Sequence, residues 1–227
     1  DSGSGGGVYV DHGTFNMYGG TITNNSCESS GGGVYVNYGT FNMSDGEISG
    51  NTSEQNGGGI ELSSSTFTMT GGSIRQNKAE DNYGGGIDVL YGSTFTMNGG
   101  TIAGNTSYTG GGVYVGSAVG NYGNNTLHMN GGTITGNIAT NKGSYTGGGV
   151  YVASDGIFTV SGAAQITDNK RNEDKNNVYL YDQTITITGA LDDAANVGVT
   201  TPSVAVVGSP VTIAKGGDGY TLTDADA

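Results

Sequence analysis

Glycine triplets recur along this chain at a nearly fixed interval, and that recurrence restricts the possible folds more than any other feature. They begin at Gly5, Gly31, Gly57, Gly84, Gly110 and Gly147, with a degenerate seventh start read at Asn176-Asn177-Val178. Within each unit the order is constant: GGG[VI]x[VL], a spacer, TFxM or a variant, a glycine-rich corner, then Ile followed three residues later by Asn. Self-similarity at this period is the mark of a solenoid. The 46 glycines come with only two prolines and no three-residue period, which excludes collagen. Apolar residues in fixed phase exclude a disordered linker, and glycine at this density disfavours helix by up to ~1 kcal/mol per position.

The columns of the repeat sort the chain into inside and outside. All five phenylalanines (Phe15, Phe41, Phe67, Phe95, Phe158) share one position, where Leu127 substitutes once. All five methionines (Met17, Met43, Met69, Met97, Met129) share another, and Ile22, Ile48, Ile74, Ile102, Ile134 and Ile166 form a third. Period-two alternation sends Tyr9, Thr14, Asn16, Thr21 and Thr23 outward. A unit of about 26 residues buries only about five apolar side chains, too few to offset the entropy of ordering its backbone. Each strand must therefore pair with its equivalents above and below. The expectation is an all-β, right-handed parallel β-helix with three strands per turn and about seven to eight turns. It covers residues 1–195, and residues 196–227, which hold Pro202 and Pro210, form irregular last turns. Asn25, Asn51, Asn77, Asn105, Asn137 and Asn169 are expected to stack as a ladder in the third corner.

These phrases resemble the GG[AI] and Phe-x-x-Asn repeats of polymorphic outer-membrane proteins and the adhesin-like β-helix repeats of gut bacterial surface proteins. The resemblance runs from about Gly5 to Asn169, with Ile in place of the family's Phe. The tail, with Thr184-Ile-Thr-Ile-Thr-Gly and Gly219-Tyr-Thr-Leu-Thr, is similar to the segment that follows such repeats. The resemblance implies an extracellular, cell-surface protein, a stalk or adhesin that binds glycan or host protein.

A formal charge of −13 argues against nucleic acid or anionic membrane as the main partner. No stretch approaches the ~20 apolar residues of a membrane span. The single cysteine, Cys27, excludes an internal disulfide. Residue 1 lies almost at the first triplet, leaving no room for an N-terminal cap. The expectation is that the chain is a piece of a longer surface protein or that copies associate end to end.

Candidate chemistry concentrates on the outward position of the first strand, which reads Tyr9, Tyr35, Glu61, Asp88, Tyr114, Tyr151, Tyr179. Alternation of rings and carboxylates there suggests that the column faces solvent. Tyrosine rings along a rod suit sugar faces, or simply pack on one another. Tyr122 and Tyr145, in the long insertions of turn five, join Tyr114 and Tyr151 as a ligand rim, so the ligand-binding candidates are Tyr35, Glu61, Asp88, Tyr114, Tyr122, Tyr145 and Tyr151. Glu61 and Asp88 occupy adjacent turns, ~5 Å apart. Three readings stay open for them: plain surface carboxylates, a calcium site, or the acid pair of a polysaccharide lyase or glycoside hydrolase. Apart from calcium no cofactor is expected, and no recognised catalytic triad, zinc or phosphate-loop motif occurs. A second face, with Thr14-x-Asn16 and its equivalents, resembles ice-binding solenoids, but Asn, His128 and Ile157 break its regularity.

Overall fold

The computed structural model describes residues 3–116, 123–143, 146–200 and 214–216. Among these there is no helix, and the strands coil into a parallel β-solenoid of about seven turns. Each turn contributes to three sheets. The first collects Val8–Asp11, Val34–Asn37, Ile60–Ser63, Ile87–Leu90, Val113–Val115, Val150–Val152, Val178–Leu180 and Val199–Thr200 in that order. The second holds both the TFxM strands and the Ile strands, and the third is built from two-residue strands such as Thr52–Ser53 and Lys78–Ala79.

The second sheet departs from a plain three-strand unit. In the first two turns Thr14–Thr23 and Thr40–Ser49 run through the glycine corner as single ten-residue strands. From the third turn on, the corner separates two strands, Thr66–Met69 and Ser73–Arg75. The bend is sealed from inside: a Cβ on Gly72 would lie 2.6 Å from Cε of Met43, and one on Gly100 would lie 2.5 Å from Cε of Met69. Met17, Met43, Met69 and Met97 thus each reach one turn along and close the next bend with the terminal methyl.

Register holds turn after turn. Phe41 pairs with Phe67 and Phe67 with Phe95, and their stacked rings have centroids 4.6 and 4.8 Å apart. The Phe, Met and Ile columns and the alternate residues of the first sheet form one continuous core from Val10 to Ile187. Such alignment places every apolar side chain on its own kind, as in-register parallel pairing requires. Pairing of Val150 with Val178 makes Lys175-Asn176-Asn177 the degenerate triplet, one residue earlier than the sequence suggests. Asn196–Val197, Val199–Thr200 and Ala214–Gly216 continue in parallel on the preceding turn.

The Ile-x-x-Asn side chains are stacked in the third corner. The amide of Asn77 donates to Oδ1 of Asn105 at 3.0 Å and to the Ile48 carbonyl at 2.9 Å. Its own Oδ1 accepts from the backbone and side-chain nitrogens of Asn51. The pattern repeats through Asn105, Asn137 and Asn169, all fully buried. One further rung is Asn177, whose Oδ1 accepts from Asn169 although it lies outside the Ile-x-x-Asn phrase.

Candidate functional site

The outward column of the first sheet is not the solvent-facing surface that alternation implies. Glu61 is 4% exposed, Asp88 0%, Tyr114 4% and Tyr179 1%, whereas Tyr9 at the N-terminal end is 54% exposed. The cause is the path of the corner that precedes each strand. The first glycine of the triplet takes a positive φ (70° at Gly31, 57° at Gly57, 63° at Gly84) and turns the chain back over its own strand. A Cβ on Gly57 would lie 2.8 Å from that of Glu61. The corner residue just before the glycine then covers the column. Ser30 hydrogen bonds Glu61, and the Tyr83 ring stacks on Tyr114 with centroids 4.3 Å apart.

Beneath this cover the column divides into two parts. Towards the C-terminus Tyr114, Leu90 and Ala153 form a small second core, with Tyr83 and Tyr151 packed against it. Tyr114 stacks on Tyr151 and Tyr151 on Tyr179, at 5.2 and 5.6 Å. Burial pushes the Tyr151 hydroxyl up to about 12 and that of Tyr114 higher still. These rings serve packing, and Tyr114 is closed to any ligand. Tyr122 and Tyr145 lie outside the described residues.

At mid-rod Glu61 and Asp88 are register partners in adjacent turns. Burial raises the pKa of both above the usual carboxylate range, and the Glu61 charge raises Asp88 further. Glu61 Oε2 has no hydrogen-bond partner, and the Asp88 carboxyl has no side-chain partner, the Val89 backbone N–H being the donor that acts on it. Among the described residues no three His, Cys, Asp or Glu side chains converge as a metal cluster. Glu54 and Glu80 lie on the outer side of the same corner, where Lys78 pairs with Glu80 at 2.9 Å. The Cys27 thiol is half-buried, and burial pushes its pKa up rather than down, which leaves it unactivated.

The open surface lies in the first turns and includes residues that sequence patterning does not single out. Tyr9 and Tyr35 stack in parallel at 5.4 Å, and beside them Asn37 Nδ2 donates to Asp11 Oδ1 at 2.9 Å. The next residue of each turn, at the corner, is His12, Tyr38, Ser64 and Tyr91, and all four are left-handed, with φ of 52°, 48°, 49° and 54°. His12 stacks on Tyr38 at 5.0 Å, and Tyr38 and Tyr91 are 59% and 38% exposed. Left-handed geometry costs a non-glycine residue ~1–2 kcal/mol. The signal available in the sequence was the residue that follows each GGG[VI]x[VL]x phrase, an aromatic ring in three of its six occurrences, all within the first four turns.

No helix among the described residues is long and apolar enough to cross a membrane. Comparisons with protein-family models, with curated proteins and with solved structures find no match to this chain, so fold and site rest on the residues themselves.

Proposed function

We propose that this chain is a non-enzymatic β-helix of a bacterial cell surface, a stalk or adhesin segment. In this reading it binds glycan through the outer face of its first sheet in turns one and two and through the adjoining corner in turns one to four. One observation carries the reading. A chain that places glycine at most of its left-handed corners keeps His12, Tyr38 and Tyr91 at one such column, against ~1–2 kcal/mol of strain each. Burial does not account for Tyr38, which is largely exposed even though His12 stacks on it. Rings that give an apolar face, next to the Asp11 and Asn37 polar pair, match the alternation of C–H faces and hydroxyls on a sugar. The enclosure of Glu61 and Asp88 supports this reading over a polysaccharide lyase or glycoside hydrolase, since a glycosidic bond needs open access to both carboxyls.

The test is a glycan array probed with the wild-type chain and with Tyr38→Gly. The variant relieves corner strain, so its melting temperature should stay level or rise while glycan binding falls at least tenfold. Unchanged binding by Tyr38→Gly and Tyr91→Gly would remove the corner from the proposal. Release of reducing sugar or unsaturated uronide, abolished by Glu61→Gln, would overturn it in favour of catalysis.

A further inference from the structure

The repeat makes the surroundings of Asp88 readable by translation of one turn. Ser30 contacts Glu61 and Tyr83 contacts Tyr114, so each corner residue covers the outward side chain of the following turn. Asn56 is the register partner of Ser30, and the same step places it at Asp88. Likewise Cys27 feels the charge of Glu61, and its register partner Ser53 stands in the same relation to Asp88. Five buried oxygens in this neighbourhood lack a side-chain hydrogen-bond partner: Glu61 Oε2, Asp88 Oδ1 and Oδ2, Asn56 Oδ1 and Ser53 Oγ, with the Val89 backbone N–H acting on the Asp88 carboxyl. Unpartnered buried oxygens are expensive, and native proteins rarely collect them without a reason.

No basic side chain serves them. Lys78 is exposed and paired with Glu80, and Arg75 is paired with Glu47 at 2.8 Å. A proton shared between the carboxyls makes one O–H···O contact and leaves the others bare. Turning over the Asn56 amide supplies Asp88 with one donor and still leaves carboxylate oxygens unmet. A hard cation meets all of them together. Calcium accepts six to eight oxygens in loose geometry, from carboxylates, amide carbonyls and hydroxyls, whereas magnesium demands a stricter octahedron and holds its water. Two carboxylates also neutralise a divalent charge.

We propose that the buried pair Glu61 and Asp88 binds one calcium ion, with Asn56 and Ser53 supplying neutral oxygens. The ion ties turns two to four together under the corner cover. A groove on the outer side of the corner is lined by Ser26, Cys27, Glu28, Thr52, Glu54 and Glu80, and the Cys27 thiol in it feels the Glu61 charge. Glu28, Glu54 and Glu80 follow the register partners Cys27, Ser53 and Ala79, so they form an acidic column that concentrates cations at this groove.

The experiment uses the full chain after dialysis against chelator. Terbium, a calcium mimic, is added at pH 7.5, and tyrosine-sensitised emission is read, since Tyr35 and Tyr114 flank the two carboxylates in register. Emission at one ion per chain that calcium displaces is expected. Calcium at a hundredfold excess over its dissociation constant should raise the melting temperature by about 5 °C or more, with magnesium doing less. Asp88→Asn and Glu61→Gln should abolish both signals. Absence of sensitised emission in the wild-type chain overturns the proposal whether or not the variants fold. So does a calcium response that survives in both variants, which would assign the ion to the outer glutamate groove. A metal-free chain stabilised by acid alone, with no calcium response, would assign a shared proton instead.

Discussion

Truncating one rung of the asparagine ladder tests the claim that each turn stands on its neighbours. In Asn77→Ala the Asn51 backbone N–H loses its acceptor, 3.0 Å away, and one hydrogen of the Asn51 amide loses the same oxygen. The Ile48 carbonyl loses its side-chain donor, while the backbone N–H of position 77 keeps Asn105 Oδ1. Asn51 and Asn77 are buried, so water does not replace the missing groups. Two orphaned donors at ~1–3 kcal/mol each give an expected cost of ~2–6 kcal/mol. The terminal rung is the internal control. Asn25 donates to Asn51 Oδ1 from its backbone and side chain, but nothing among the described residues donates to its own oxygen. Asn25→Ala should therefore cost ~1 kcal/mol. Urea unfolding followed by circular dichroism gives the comparison, and hydrogen exchange at Asn51 reads the local effect. A cost for Asn77→Ala below ~1 kcal/mol, or equal to that of Asn25→Ala, would show that the ladder does not hold the corner.

Two further predictions concern glycine and protonation. Gly32→Ala would set a Cβ 2.4 Å from the Gly58 carbonyl oxygen and 2.6 Å from Thr52 backbone, so it should cost ~3 kcal/mol or more, whereas Gly13→Ala meets nothing closer than 3.6 Å and should be near neutral in thermal melts. In metal-free buffer, stability should be greatest below about pH 4, where Glu61 and Asp88 are protonated in both folded and unfolded chains. It should fall as pH rises through neutrality, because the unfolded chain ionises first; Asp88→Asn should flatten that slope in denaturant titrations at stepped pH, and an unchanged slope would mean that the pair is solvated.

The inside of the rod was legible and its cover was not. Phe41, Met43 and Ile48 are buried where period-two alternation puts them, because a parallel in-register solenoid repeats one strand environment in every turn. Alternation assigns a side chain to the outer face of its own sheet but says nothing of what crosses that face. Glu61, Asp88 and Tyr114 are enclosed by corner residues such as Ser30 and Tyr83, whose path depends on left-handed glycines. Asn177 was missed for a related reason. A short antiparallel pairing of Lys170–Arg171 with Asp174–Lys175 brings it onto the ladder from eight residues away, outside the repeat spacing. The left-handed run of His12, Tyr38, Ser64 and Tyr91 follows from backbone geometry that residue identity alone would not assign to rings.

Because every turn presents the next with the same pairing edge, turn number is a quantity that genetic recombination between repeats can alter without disturbing the coil. Excising Gly57–Tyr83 would join Asn56 to Gly84 and bring the Asp88 strand against that of Tyr35, with Phe, Met, Ile and Asn again meeting their own kind. The rod would shorten by one inter-strand spacing, ~4.8 Å, and lose Glu61 while keeping Asp88. One such event would thus change reach and dissolve the acid pair together.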